Sequence, residues 1–249
     1  MKVLRKNGEI VEASFEEQEG KKAFWHTSAH VLAQAVKRLY PDTKCAIGPA
    51  IENGFYYDFE FSFQFSEEHL KEVEEEMRKI VKESLSLQVY EKSKNDAIAY
   101  MESAHEDYKL ELIRGLDDSE QITFYKQGDY EEFCSGPHIT NSCQLKAIKL
   151  LSVAGAYWRG DEKNKMLTRI YGISFPKVSE LEQYLNMLEE AKARDHRKLG
   201  KELGLFILVE EGPGFPFFLP KGLILKNILI IGERYIPERG IRKFLRQSY

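Results

Sequence analysis

The sequence predicts an α+β fold in which antiparallel β-sheets are backed by helices. Three observations point to it. Apolar residues recur at 3–4 spacing in two stretches, Ala29, Leu32, Val36 and Leu39, then Leu70, Val73, Met77 and Ile80, as amphipathic helices require. Asn53-Gly54 is a strong hairpin dipeptide, and from Tyr57 to Phe65 aromatic residues alternate with polar ones at period two. A further hairpin is expected across Gly160-Asp161-Glu162-Lys163-Asn164, joining Ala156–Trp158 to Met166–Tyr171.

The elements follow in order. Lys2-Val3-Leu4 and Ile10-Val11 are short strand candidates around a Lys6-Asn7-Gly8 turn. They are too little to build a domain, so residues 1–20 read as the remnant of one. A helix is expected over 23–39, ended by Pro41. On it His26 and His30 lie about 40° apart, beside the apolar stripe, where a cleft wall would be. Residues 45–65 read as a strand pair. A long helix over 66–86 opens on Ser66 as N-cap, with Glu67 and Glu68 in its first turn. Its Glu74-Glu75-Glu76 run is expected to be a solvated face rather than a metal site. A helix over 95–104, opened by Asn95 or Asp96, precedes strands at Tyr108–Ile113 and Gln121–Tyr125. A loop bearing Cys134 and His138 follows, then a strand at Ile148–Val153. Pro176 marks a boundary. Ser179-Glu180-Leu181-Glu182 has the form of a capping box, opening a helix that runs on through the charged Lys192–Lys198. Glu210-Glu211-Gly212-Pro213-Gly214-Phe215-Pro216 and Leu219-Pro220-Lys221-Gly222 are turn-dense, and too few residues remain after Gly204 for an independent core.

Bulk composition narrows the function. The chain has 249 residues, 43% hydrophobic and 31% charged, as ordinary soluble globular proteins do. Its net charge of −4 excludes a polycation, so any nucleic-acid contact needs a local basic patch. The three cysteines, Cys45, Cys134 and Cys143, cannot all pair with one another. With no signal peptide in view, a reducing, cytoplasmic setting is expected. No apolar run approaches the roughly 18–20 residues of a membrane span.

Two motifs carry the chemistry: His26-Thr27-Ser28-Ala29-His30 and Cys134-Ser135-Gly136-Pro137-His138. Each sets two reactive side chains four apart, and together they offer three imidazoles and a thiol. Such a set grips Zn²⁺ or, without metal, holds a water against an ester. Lys109 is expected on a strand, on the face opposite Tyr108 and Leu110; an exposed strand lysine is the ordinary alternative. Tyr57 lines a pocket or packs in the core. Glu132 anchors an amine, orients a histidine, or is solvated. Tyr157-Trp158-Arg159-Gly160 with Lys165 and Arg169 mixes aromatic and basic residues, as RNA contacts do, although hairpin packing explains it equally. His69, His105 and His196 read as surface residues.

These residues resemble the editing region of bacterial threonyl-tRNA synthetases. The resemblance rests on His26–His30, Ile47-Gly48-Pro49, Asn53-Gly54-Phe55-Tyr56-Tyr57-Asp58, Cys134–His138 and Gly155-Ala156-Tyr157-Trp158-Arg159-Gly160-Asp161. Met166-Leu167-Thr168-Arg169-Ile170-Tyr171-Gly172 extends it. Arg194-Asp195-His196-Arg197-Lys198-Leu199-Gly200 resembles the family's linker helix, and the turns after Gly212 the entry to its class II catalytic domain. The match covers roughly residues 20–228. Related HxxxH and CxxxH pairs occur in alanyl-tRNA editing proteins, but the Tyr-Trp-Arg-Gly-Asp and linker segments favour the threonyl branch.

The resemblance implies an editing domain over 21–177, with a hairpin subdomain at 145–175. It also implies a linker helix over 178–203 and a truncated start of the catalytic domain over 204–249. It implies hydrolysis of tRNA(Thr) mischarged with serine, with His26, His30, Lys109, Cys134 and His138 catalytic and Tyr57 and Glu132 binding the seryl group. It implies a metal-free cleft needing no cofactor; zinc on His26, His30, Cys134 and His138 stays open on ligand type alone. The family usually has Asp where this chain has Glu132 and Arg where it has Ser135. Ile231–Tyr249 departs from the family, as a truncation or a shifted reading frame would. Threonine activation, which belongs with ATP binding to the full-length catalytic domain, is therefore not expected, and a homodimer only if that domain were complete. The alternatives are an inactive tRNA-binding remnant and a zinc-stabilised RNA-binding module.

Overall fold

A computed structural model describes residues 1–235 except 118, 210, 211, 213 and 214, with the backbone alone at 232–235. The divergent ending beyond 235, and much of the turn-dense stretch at 210–214, lie outside the described residues. The chain divides into two compact units, Met1–Gln183 and Tyr184–Tyr249.

The first unit opens with a hairpin of β1 (Lys2–Leu4) and β2 (Ile10–Glu12), as expected. Helix α1 (Gln18–Leu39) starts five residues before the predicted 23. It is buried on nearly every side from Ala29 to Val36, so a search for one apolar stripe undersells it. The Tyr40 N–H closes its last turn on the Val36 carbonyl at 2.7 Å, and Pro41 prevents continuation. Strands β3 (Lys44–Cys45), β4 (Ala50–Ile51) and β5 (Gly54–Glu60) come next. Gly54 takes φ +119° at the β4–β5 turn, a conformation closed to side-chain-bearing residues. The strand stops at Glu60. Phe61, Phe63 and Phe65 instead cluster with Tyr40, the Tyr40–Phe63 centroids 5.2 Å apart.

Ser66 and His69 form a capping box over a 3₁₀ turn, which leads into α2 (Leu70–Lys82). Glu74 and Glu76 are buried, against the expectation of a solvated face. Glu74 accepts from the Leu150 N–H at 3.1 Å and pairs with Lys149 at 3.1 Å, while Glu76 pairs with Lys79 at 2.8 Å and Arg38 at 3.4 Å. Their role is structural pairing rather than metal binding. Strand β6 (Leu87–Lys92) and α3 (Lys94–Ser103) follow, α3 capped by Ser93, whose hydroxyl accepts from the Asp96 N–H.

The predicted strand at Tyr108–Ile113 is instead a helix, α4 (Asp107–Arg114). Its apolar residues read as alternating, but Tyr108, Lys109 and Ile113 are the buried ones, a helical face. Strands β7 (Ile122–Gln127), β8 (Tyr130–Phe133) and β9 (His138–Ile139) lead to β10 (Ala147–Tyr157) and β11 (Met166–Phe175). The latter two form one long ladder, absorbing the separately predicted strand at Ile148–Val153.

The first unit's sheets are all antiparallel: β10-β11-β5-β3 with β4 on β5, β6-β7-β8, and β2-β1-β9. In the first of these, α1 packs on β5 and β11. The Trp25 indole donates to the Ser174 carbonyl at 2.9 Å, and the Ser28 and Ser174 hydroxyls meet at 2.7 Å. Burial of side chains such as Phe24, Leu32, Met77 and Ile80 contributes about 1.5–3 kcal/mol each.

Helix α5 (Val178–Ala193) begins before Ser179, which therefore sits inside the first turn instead of capping it. The helix ends before Asp195, whose carboxylate caps α6 (His196–Glu202) by accepting from the Arg197 and Lys198 N–H groups. The single long linker helix is thus two. In the second unit β12 (Phe206–Leu208) pairs with β13 (Pro216–Phe218), and α7 (Pro220–Tyr235) follows. No apolar side chain described in this unit is buried.

Candidate active site

Helix α1 presents His26 and His30 one turn apart on its cleft side. The second motif reaches them because β9 lies along α1: the Ile139 N–H donates to Thr27 Oγ1 at 3.0 Å, and Leu4 of β1 stands opposite His138. Gly136 turns the loop between Cys134 and His138. Its φ is +61°, and a Cβ there would sit 2.2 Å from the Tyr125 hydroxyl, so no other residue fits without displacement.

The result is one cluster. Cys134 Sγ lies 3.2 Å from His26 Nε2 and 3.3 Å from His138 Nε2, and accepts the Gly136 N–H at 3.3 Å. The His26 and His138 rings stack at 4.3 Å, and His30 sits 4.2 Å from His138.

Donor counting assigns the tautomers. Thr27 gives its one hydroxyl proton to the Ala23 carbonyl at 2.8 Å. Its contact with His138 Nδ1, at 3.1 Å, must then be donated by His138. Neutral His138 therefore carries its proton on Nδ1, leaving Nε2 to accept from the Cys134 thiol. His26 must in turn donate from Nε2 to the sulfur, which frees its Nδ1 as an acceptor.

Burial keeps the cluster uncharged. It pushes the Cys134 thiol up to about 12, with Glu132 adding to the effect. It brings His26 down to about 3, reinforced by His30, and holds His30 below and His138 well below the usual imidazole range. At neutral pH the sulfur is a thiol, so this arrangement does not favour a thiolate nucleophile.

Beside the cluster is a buried ion pair. Lys109 is 6% and Glu132 4% exposed. Lys109 and the Tyr57 hydroxyl both donate to Glu132 Oε1, and the Tyr130 hydroxyl donates to Oε2 at 2.8 Å. His30 Nε2 lies 3.5 Å from Oε2. Burial opposes ionisation of Glu132 most strongly. The charge of Lys109, then His30 and the hydrogen bonds from Lys109 and Tyr57, outweigh it and bring the carboxyl down to about 2. Burial likewise disfavours the Lys109 cation, but Glu132 more than compensates and raises it. The lysine expected on a strand is thus a helical ammonium held inside, and the alternative of an exposed strand lysine does not hold.

His26, His30, Lys109, Glu132 and Cys134 line one cavity of about 500 Å³. Tyr57 and His138 do not line it. Both are fully buried, Tyr57 holding Glu132 and His138 holding Cys134. Sequence reading passed over Thr27 and Tyr130. Tyr130 had a signal, since a residue two before Glu132 on a strand shares its face. Thr27 had none beyond lying inside the His-x-x-x-His motif.

The same four residues suit zinc in ligand type. One ligand atom from each of His26, His30, Cys134 and His138 lies within 4.8 Å of the others. Tetrahedral zinc with bonds of ~2.0–2.3 Å needs ligand atoms about 3.3–3.8 Å apart. The contacts to sulfur, at 3.2 and 3.3 Å, lie at the short edge of this range, and the widest gap needs about 1 Å of closure. His30 Nδ1 is buried without a hydrogen-bond partner, as a ligand nitrogen would be.

Comparison with known proteins gives the class, an aminoacyl-tRNA synthetase accessory domain. Residues 122–171, which carry Glu132, Cys134 and His138, match the threonyl and alanyl tRNA synthetase second additional domain. The chain is 61% identical to the threonine–tRNA ligase of Clostridium novyi (strain NT) over 229 residues, 92% of this chain and 36% of that protein. It is 60% identical to that of Caldanaerobacter subterraneus subsp. tengcongensis over 226 residues, 91% of this chain and 35% of the relative. Against Clostridioides difficile (strain 630) the figures are 61% over 216 residues, 87% and 34%. The chain is a threonyl-tRNA synthetase region that carries this editing-type domain, and it spans about a third of the length of the curated relatives it matches. No helix among the described residues is long and apolar enough to cross a membrane.

Proposed function

We propose that this region hydrolyses the ester of seryl-tRNA(Thr), removing serine wrongly attached to the tRNA of threonine. The supporting observation is the meeting of two distant motifs, around positions 28 and 136, on one cavity beside Lys109 and Glu132. The chemical need is plain. Serine lacks one methyl of threonine, and a missing methyl gives only about 1–3 kcal/mol of discrimination. A second site that destroys the wrong product supplies the rest.

His26 is only half-buried, and its Nδ1 is free to accept. As a neutral acceptor it orders the attacking water and helps relay the water's proton toward the leaving ribose oxygen as the water oxygen adds to the ester carbonyl. Lys109 uses one of its three N–H bonds on Glu132 and turns positive charge toward the developing oxyanion. Collapse breaks the bond to the ribose oxygen, which takes up the proton. Cys134 and His138 hold the His26 ring in its tautomer. Glu132, seated by Tyr57, holds the seryl amine, and the cleft wall excludes the extra methyl of threonine by clash.

The test is single-turnover deacylation of seryl-tRNA(Thr) and threonyl-tRNA(Thr). Hydrolysis of the first and not the second is expected. Lys109→Ala should slow it by about 10²–10³-fold, as loss of an oxyanion donor does, and Cys134→Ala should slow it too. Unchanged rates in both variants refute the assignment.

A second reading, a zinc-stabilised RNA-binding module, is favoured by the close approach of four ligand atoms. Stoichiometric zinc in the purified protein, with unfolding on chelation and no deacylation, would establish it.

A further inference from the structure

We infer that Lys6 and Lys22 form a phosphodiester-binding rim at the mouth of the cavity, seating the single-stranded 3′ end of an RNA whose terminal ester lies below. The inference deepens the deacylase reading and rests on it. Both lysines line the same cavity as His26 and Cys134, yet they come from different segments. Lys22 stands on α1 one turn before His26, close enough for its charge to help depress that histidine. Lys6 lies in the turn after β1.

Neither ammonium has a hydrogen bond or ion pair among the described residues, unlike the cations around them. Arg5 is clamped by Glu19, through Nε at 2.7 Å and Nη2 at 2.9 Å, and by Glu9 at 3.0 Å. Lys21 sits over the Phe15 and Trp25 rings, and Lys109 is neutralised by Glu132. Glu120 also lines the cavity, leaving one positive charge in excess at the rim. In a chain of net charge −4 that excess is local, as a nucleic-acid contact requires.

Lys6 is placed by the fold rather than by chance. Strand β1 pairs with β9, setting Leu4 opposite His138, and the Arg5–Glu19 clamp ties the same turn to α1. The amino-terminal hairpin thus belongs to the wall of the site. An ammonium on a flexible stem is a point-charge donor suited to a phosphate oxygen, and such contacts position a strand without reading its sequence.

The experiment measures binding of an uncharged RNA minihelix with a single-stranded 3′-CCA end to the full chain, by fluorescence anisotropy across a salt series. Lys6→Gln and Lys22→Gln should each weaken binding by about three- to tenfold at moderate salt and flatten the log–log salt slope by about 0.7 per lost contact. A minihelix with neutral methylphosphonates at its last linkages should bind the wild type equally weakly and lose nothing further in the variants. Wild-type affinity and slope in both variants overturn the inference, as does a wild type that does not bind the minihelix. Weakened binding in a protein without deacylase activity would keep the rim and discard the hydrolytic reading.

Discussion

Removing Lys109 tests the most consequential feature of the site, a charge pair held away from water. Lys109→Met keeps most of the side-chain volume and deletes the cation. Glu132, 4% exposed, then keeps the hydroxyls of Tyr57 and Tyr130 but loses its counter-charge. Breaking one partner of a buried pair costs about 3–5 kcal/mol. Domains carry about 5–15 kcal/mol in total, so the variant should fold with a visibly lower urea midpoint. Glu132→Gln should cost a similar amount by stranding the lysine. The double variant Lys109→Met/Glu132→Leu should recover much of both losses, because an apolar pair of like volume replaces a buried ion pair at little cost.

The pH dependence of Lys109→Met has a definite sign. In the wild type Lys109 and its neighbours overcome burial and hold Glu132 near 2. Without the lysine, burial dominates and the folded carboxyl titrates above its unfolded value. The folded state then takes up a proton first, so the gap to wild type should narrow as pH falls toward the ordinary carboxylate range. Urea unfolding of the four proteins at pH 7 and pH 5 measures all of this. Additive losses in the double variant, or a single-variant loss under about 1 kcal/mol, would show a pair screened by water and refute the argument.

Two more outcomes follow from the same cluster. His30 and His138, 2% and 0% exposed, have folded pKa values below the ordinary imidazole value. Their contribution to stability is fully present above about pH 6.5 and is lost as pH falls, with a slope that approaches about 2.7 kcal/mol per pH unit for two protons. Urea midpoints that stay flat from pH 7.5 to 5 would contradict neutral buried rings. Thr27→Val removes the acceptor of His138 Nδ1–H and should cost about 1–2 kcal/mol while slowing deacylation; Thr27→Ser should retain both. Equal rates in the valine and serine variants would show that the tautomer is set elsewhere.

Which parts of this site were legible in the sequence follows from range. His26 and His30 are local: a helix of known period sets their angle, and neighbouring residues suffice to predict it. Cys134 and His138 are also local, being set by a tight loop whose Gly136 has both a positive φ and a ring against it. The meeting of the pairs is not local, and only the resemblance supplied it. Lys109 failed for a different reason. The run from Tyr108 to Ile113 is short, and its apolar residues satisfy period two about as well as 3.6. The missed arbiters were Arg114 in the last turn and Gly115 just after it, both helix-ending signals.

The amino-terminal hairpin shows the limit most clearly. Residues 1–12 contain two three-residue strands and nothing that names a partner. What fixes β1 is a free edge on β9, more than 130 residues later in the chain, and a carboxylate on α1 that reaches Arg5. Neither leaves a mark in the local pattern, because edge pairing is carried by backbone groups every residue has. A segment that reads as a leftover by its length therefore closes one side of the cavity, and Lys6 becomes a residue of the site only through a strand pairing that no window of sequence contains.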